Sequence, residues 1–149
     1  RDSLLDALEL AAVDPDISVE LRGAGPSFCS GGDLDEFGQF VDPATAHIVR
    51  TALSLGARLA PLAARTTAHL HGYAGGSGLE LAAFCGRVIA ADDTRCFLPE
   101  IALGLIPGAG GTVRIKQRLG RWRTAALLLS GAQIDAATAL SWGLVEALA

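Results

Sequence analysis

Large rings are scarce in this chain of 149 residues, of which aromatics make up 5%. The core therefore has to be filled by close contact among small and aliphatic side chains, and 27 Ala, 23 Leu and 18 Gly are present to do it. Charge is sparse at 19%, but half the residues are hydrophobic, which excludes a disordered chain. No stretch approaches 18 uncharged apolar residues, which excludes a transmembrane helix. Arg1 and Asp2 lead into an amphipathic segment rather than an apolar signal core, so no signal peptide is read. Lysine is reduced to Lys116 alone, and the net charge of −4 argues against a nucleic-acid partner. Cysteine is limited to Cys29, Cys85 and Cys96, with no Cys-x-x-Cys, and His47, His69 and His71 lack paired metal spacing. The expectation is a cytoplasmic, reducing setting without disulfides or a structural metal, with Cys85 and Cys96 as buried apolar residues.

What is present alternates between helix and strand periods. Residues 3–12 place Leu4, Leu8 and Ala11 or Ala12 on one face, with Asp2 or Ser3 as cap. Residues 17–22 alternate as a strand, and a Gly-rich loop occupies 23–34. A long helix is expected over 44–59, with Pro61 opposing its continuation. Strands follow at 66–71, 87–91 and 94–98, a second Gly-rich loop at 72–78, a helix from 79 and turns over 99–112. Helical segments at 113–120 and 121–131 each end on glycine, and Asp135 caps a last helix over 136–142 that Gly143 stops. This order implies an α/β fold with parallel strands in one domain over 1–149, without an internal repeat. A chain that opens on a helix and closes on the apolar Leu144-Val145 reads as a fragment of a longer protein.

Two features carry chemistry. The loop 72–78 joins a strand to a helix and leaves amide groups such as Ser77 N–H unsatisfied where the helix dipole favours negative charge. The loop 27–33 is a second such turn and offers Ser30 N–H. Glu80 and Glu100 both stand amid apolar residues. A carboxylate so placed pairs with a base or has a purpose, because unpaired burial is costly. Arg95 is the basic residue nearest Glu100 in sequence, so an ion pair between them stays open. Five basic residues, Arg114, Lys116, Arg118, Arg121 and Arg123, fall close together and read either as an anion-binding cluster or as a solvated helix face.

The strings FCSGGDL (28–34), HGYAGGSGLELAAFC (71–85), FLPEIALGLIPGAGGTVRI (97–115) and SGAQIDAATALSWGLV (130–145) resemble the enoyl-CoA hydratase/isomerase (crotonase) family nearly end to end. The resemblance implies a crotonase-like spiral of ββα units, truncated at both ends. It implies an oxyanion hole from the backbone amides of Ser30 and Ser77, with Ser30, Gly31, Gly32, Asp33 and Ser77 binding an acyl-CoA thioester. Glu80 and Glu100 match the two family glutamates: Glu80 would help activate water and Glu100 would deliver the proton to C2 of a 2-enoyl thioester. No cofactor is implied beyond the coenzyme A of the substrate, and the partners are that substrate and, for the full-length family, further copies in a trimer or hexamer, with no membrane. The chain departs from the family pattern at His71, where Asn is usual, at Ser77, where Gly is common, and at Gly86-Arg87, where an Asp usually follows Cys85 and a structural ion pair is expected to be missing.

Other readings stand beside the hydratase. Isomerase, dehalogenase, hydrolase and decarboxylase members of the same family act on acyl-CoA with one carboxylate or a moved one, and a non-catalytic acyl-CoA-binding fragment is a further class. A serine hydrolase using Ser77 would need a later histidine, and none follows His71. Leu98, Ile101 and Leu105 are candidates for the acyl pocket or for the core.

Overall fold

The structure, a computed structural model, describes residues 1–36, Gly38 and 42–149. Helix α1 (Asp2–Val13) precedes strand β1 (Val19–Arg22); α2 (Pro43–Ala52) and α3 (Leu55–Leu59) lead through a 3-10 turn at Ala60–Arg65 into β2 (Thr66–Leu70) and β3 (Tyr73–Gly75). Then come α4 (Ser77–Ala82), β4 (Arg87–Ala90), β5 (Arg95–Phe97), a 3-10 turn at Pro99–Leu103, α5 (Gly111–Leu119), α6 (Arg121–Ser130), β6 (Ile134–Asp135), α7 (Ala136–Trp142) and β7 (Ala147–Leu148).

Two sheets result. One has the order β1-β2-β4-β7 and is parallel throughout; the other has the order β3-β5-β6. Each turn of the chain feeds both sheets. After β1, Cys29 forms a bridge to Ala74 of β3 before the chain reaches α2. After β2 comes β3 and then α4; after β4 comes β5 and then α5. The same ββα step is thus taken three times with no sequence in common between the steps, which is the spiral the resemblance implies. The all-parallel expectation needs one correction: β5 and β6 are antiparallel, because α6 returns the chain before Ile134 reaches the sheet edge.

Local chemistry explains the other departures. The single helix expected over 44–59 is two. Asp42 caps α2 by accepting from Thr45 N, and Ser54 starts α3 afresh by accepting from Ala57 N. Pro61 does not end helical structure but sits in the first turn of the 3-10 segment, where its missing N–H costs nothing. The cap position of α1 is Arg1 rather than Asp2 or Ser3, with no side-chain hydrogen bond to the helix, and α1 buries Leu5, Leu8 and Ala11, with Leu4 half-buried. Strand β1 starts at Val19 because the Ile17 carbonyl is taken by the Arg65 guanidinium. The supposed loop 72–78 contains β3, paired with β5.

The core is the small-residue packing that the composition demands. Ala68, Ala74, Leu79, Ala90, Cys96, Ile115 and Ala139 are fully buried. Glycines admit the few rings: a Cβ on Gly56 would stand 2.5 Å from Phe84, and one on Gly75 would stand 2.4 Å from Phe97. Cys85 and Cys96 are buried as expected, and burial pushes both thiols up to about 12. Leu144 and Val145 are buried and lead into β7, which lies beside β4. Of the three acyl-pocket candidates, only Leu98 is in the core; Ile101 and Leu105 are exposed. Among the described residues no helix is long and apolar enough to cross a membrane.

Candidate functional site

The two Gly-rich loops are laid against each other at backbone contact. Phe28 N donates to the His71 carbonyl at 2.9 Å, Cys29 N to the Tyr73 carbonyl at 3.1 Å, and Gly75 N to the Cys29 carbonyl at 2.9 Å. Tyr73 N adds a bond to Ser27 Oγ, and His71 Nε2 donates to the Gly25 carbonyl at 2.9 Å. The imidazole therefore ties the end of β2 to the first loop. Only glycine fits at the closest approaches: a Cβ on Gly72 would lie 2.2 Å from the Pro26 carbonyl oxygen, and one on Gly78 would lie 2.6 Å from Cys29.

This contact brings the two candidate amide donors into one region. Ser30 follows the bridging Cys29, and Ser77 follows Gly76, whose φ of 49° turns the chain into α4. Gly31 Cα lies 3.7 Å from where a Cβ on Gly76 would stand. Among the described residues neither the Ser30 N–H nor the Ser77 N–H meets a hydrogen-bond acceptor. Of the remaining loop candidates, Gly31 is half-buried and Gly32 is exposed. Asp33 is exposed, and its Oδ1 accepts from Asp35 N, starting the short turn at Leu34–Glu36. Ser77 has no imidazole beside its hydroxyl among the described residues, and the His71 ring is committed elsewhere, so the hydrolase arrangement is absent there.

Both glutamates border the same turn. Glu80 is 1% exposed and lies in the first turn of α4. Its carboxylate accepts from Gly111 N at 2.7 Å and from Ala109 N at 3.0 Å. Gly111 must lack a side chain, because a Cβ there would lie 2.4 Å from Glu80 Cγ. Glu100 opens the 3-10 turn at Pro99–Leu103, and its Oε1 lies 3.0 Å from where a Cβ on Gly76 would stand. Its Oε2 is buried without a hydrogen-bond partner among the described residues. The ion pair with Arg95 left open by the sequence does not form: Arg95 Nη1 donates to the Thr94 carbonyl instead.

Electrostatics follow from this geometry. Burial raises the proton affinity of Glu80, while the Gly111 and Ala109 amides and the more distant Arg50 guanidinium oppose the rise. Burial also raises Glu100; its own backbone amide opposes this, and the neighbouring Glu80 charge adds to it. One carboxyl is clamped by amide donors that favour its anion, and the other has an oxygen with no donor at all. Such a pair separates into a base and an acid.

The clamp residues Ala109 and Gly111 were not singled out by the sequence, which reads 99–112 as turns. Their signal is the Gly110-Gly111 pair at a helix start: Gly110 has φ 104° and aims the first amides of α5 back at α4. In the basic cluster Lys116 is exposed and the four arginines make contacts within the chain. Arg114 stacks over Phe84, Arg121 over Trp122 and Arg123 over Trp142, while Arg118 pairs with Glu146 and donates to the carbonyls of Ala83 and Cys85. No side chain fits at Gly86, where a Cβ would lie 2.2 Å from the Ala63 carbonyl oxygen.

A family model described as enoyl-CoA hydratase/isomerase matches residues 1–149. The chain is 41% identical over 144 residues to the 2,3-dehydroadipyl-CoA hydratase of Escherichia coli, covering 96% of this chain and 56% of that protein. It is 39% identical over 136 residues to a probable enoyl-CoA hydratase of Mycobacterium bovis, covering 89% of this chain and 51% of that one. The crystal structure of an enoyl-CoA hydratase from Thermoplasma volcanium superposes with a TM-score of 0.89 at 32% identity, covering 98% of this chain and 59% of that one. The chain spans about half the length of the curated relatives it matches. On its motifs, its spiral of ββα steps and its match along the whole sequence, the chain belongs to the enoyl-CoA hydratase/isomerase family.

Proposed function

We propose that the protein containing this chain adds water across the 2,3-double bond of a 2-enoyl-CoA thioester. The observation that carries the reading is the pairing of buried Glu80 with half-buried Glu100 about the Gly76 turn, neither in an ion pair among the described residues, with two partnerless amides beside them. The thioester oxygen takes the Ser30 and Ser77 N–H groups. As the attacking oxygen bonds to C3, charge builds on that thioester oxygen, and losing one donor to it costs about 2.7–4 kcal/mol of barrier. Glu80, held by Gly111 N and Ala109 N, orients the water and accepts its proton. Glu100, whose Oε2 is buried without a donor among the described residues, delivers a proton to C2. Proton transfers of this kind contribute roughly 10²–10⁴-fold.

The names of the relatives support the hydratase over the isomerase, hydrolase and decarboxylase readings, and the E. coli relative is named for an acyl chain that itself ends in a carboxylate. A homo-oligomer, trimer or hexamer, belongs to the same proposal; exposed apolar side chains such as Trp122 and Leu129 are surface that such contacts would cover. The test uses the full-length protein and crotonyl-CoA. Loss of the enoyl-thioester absorbance is expected from the wild type and not from Glu100→Gln, which should still bind the thioester. Retained turnover in that variant, or its loss in Ser77→Ala, removes the reading.

A further inference from the structure

The contacts at the site run in order: Gly31, Gly76 and Glu100 at one end, then Glu80, then the Ala109 and Gly111 amides that clamp it. Beyond Ala109 stands one more group. Arg50, on α2, holds its Nη1 3.2 Å from where a Cβ on Gly108 would lie. Gly108 is next to the clamping Ala109, so this guanidinium borders the turn that holds Glu80, near enough to act on its charge.

Arg50 is uncommitted in a way the other arginines near the site are not. Arg114 is stacked on Phe84 and Arg118 is tied to Glu146. Among the described residues Arg50 forms no ion pair, its one hydrogen-bonding contact is His47 Nδ1 at 3.5 Å, too long to count as firm, and the Glu80 carboxylate acts on it only at longer range. Its side chain is exposed, and exposed Ile106 precedes the Pro107-Gly108 turn beneath it. A planar fork of donors in no ion pair, beside the turn that holds Glu80 and next to apolar surface, has the chemistry that recognises a carboxylate.

We infer that Arg50 binds a carboxylate at the far end of the acyl chain, so that the substrate class is a 2-enoyl-CoA derived from a short dicarboxylic acid. The inference rests on the hydratase reading for its direction, since the thioester must lie on the Ser30 and Ser77 amides for the acyl tail to point at Gly108. The phosphates of coenzyme A are common to every acyl-CoA, so a preference between acyl chains separates them from the anion meant.

The test is a binding comparison with two saturated, unreactive probes, adipyl-CoA and hexanoyl-CoA, on the full-length protein. A charge-assisted hydrogen bond of ordinary strength makes the wild type prefer adipyl-CoA by about tenfold or more. Arg50→Gln should erase that preference by weakening adipyl-CoA alone, and Arg50→Lys should keep part of it. Equal affinities in the wild type overturn the inference. So does Arg50→Gln weakening both probes alike, which would mean contact with coenzyme A or action through Glu80. Turnover of the matching 2-enoyl thioesters is read separately. If neither is hydrated while the adipyl preference stands, the hydratase reading falls and the carboxylate site remains.

Discussion

At the scale of single residues, the glutamates make opposite demands on the chain. Glu80 has donors and needs space, which Gly111 supplies by having no side chain. Gly111→Ala should therefore displace the Glu80 carboxylate and lower kcat by about 10²-fold or more without altering any ionisable group; steady-state kinetics on crotonyl-CoA check this. Glu100 has space and lacks a donor. Because both carboxyls are raised by burial, kcat/KM should be bell-shaped, with both limbs belonging to the pair and the basic limb displaced above the ordinary carboxylate range. Stability obeys the same shift. A carboxyl whose folded proton affinity is raised adds stability at low pH and loses it as pH climbs from the ordinary glutamate value of about 4.3 through the raised one. Glu100→Gln has no proton to lose there, so its melting temperature relative to wild type should rise across that window.

At the scale of elements, the site depends on how closely β3 and the first loop approach. Gly78 lets Cys29 lie against α4, and Cys29 fixes the next amide, that of Ser30. Gly78→Ala should push that loop outward, costing turnover by about 10²–10³-fold, the range for a lost oxyanion donor, with thioester binding affected less. The motif strings made both loops and both glutamates legible in the sequence, because Gly runs and isolated carboxylates in apolar surroundings are local signals. The division of 44–59 into α2 and α3 was legible only in part: Ser54 is a good cap, but nothing around it interrupts the apolar period. The short strand β3 was hidden because Tyr73-Ala74-Gly75 acquires its strand character from Cys29 and β5, both distant in sequence.

At the scale of the molecule, three ββα steps share a core, and the last strand is pinned to it by one polar junction. Glu146 accepts from Val88 N and pairs with Arg118, which also holds the carbonyls of Ala83 and Cys85. Glu146→Ala leaves the Val88 amide and the guanidinium short of an acceptor, so a loss of about 1–3 kcal/mol is expected from the urea midpoint of the full-length protein. That junction joins residues far apart in the chain, and no local pattern announces it; the family strings made the overall spiral legible where periodicity alone stopped at α/β. The distribution of sulfur across this core has a practical consequence. With two thiols buried and held protonated at neutral pH, alkylating reagents have only Cys29 of the three to react with, and because that sulfur is packed against Gly78, a maleimide there would wedge the Ser30 amide out of place and act as a chemical off-switch.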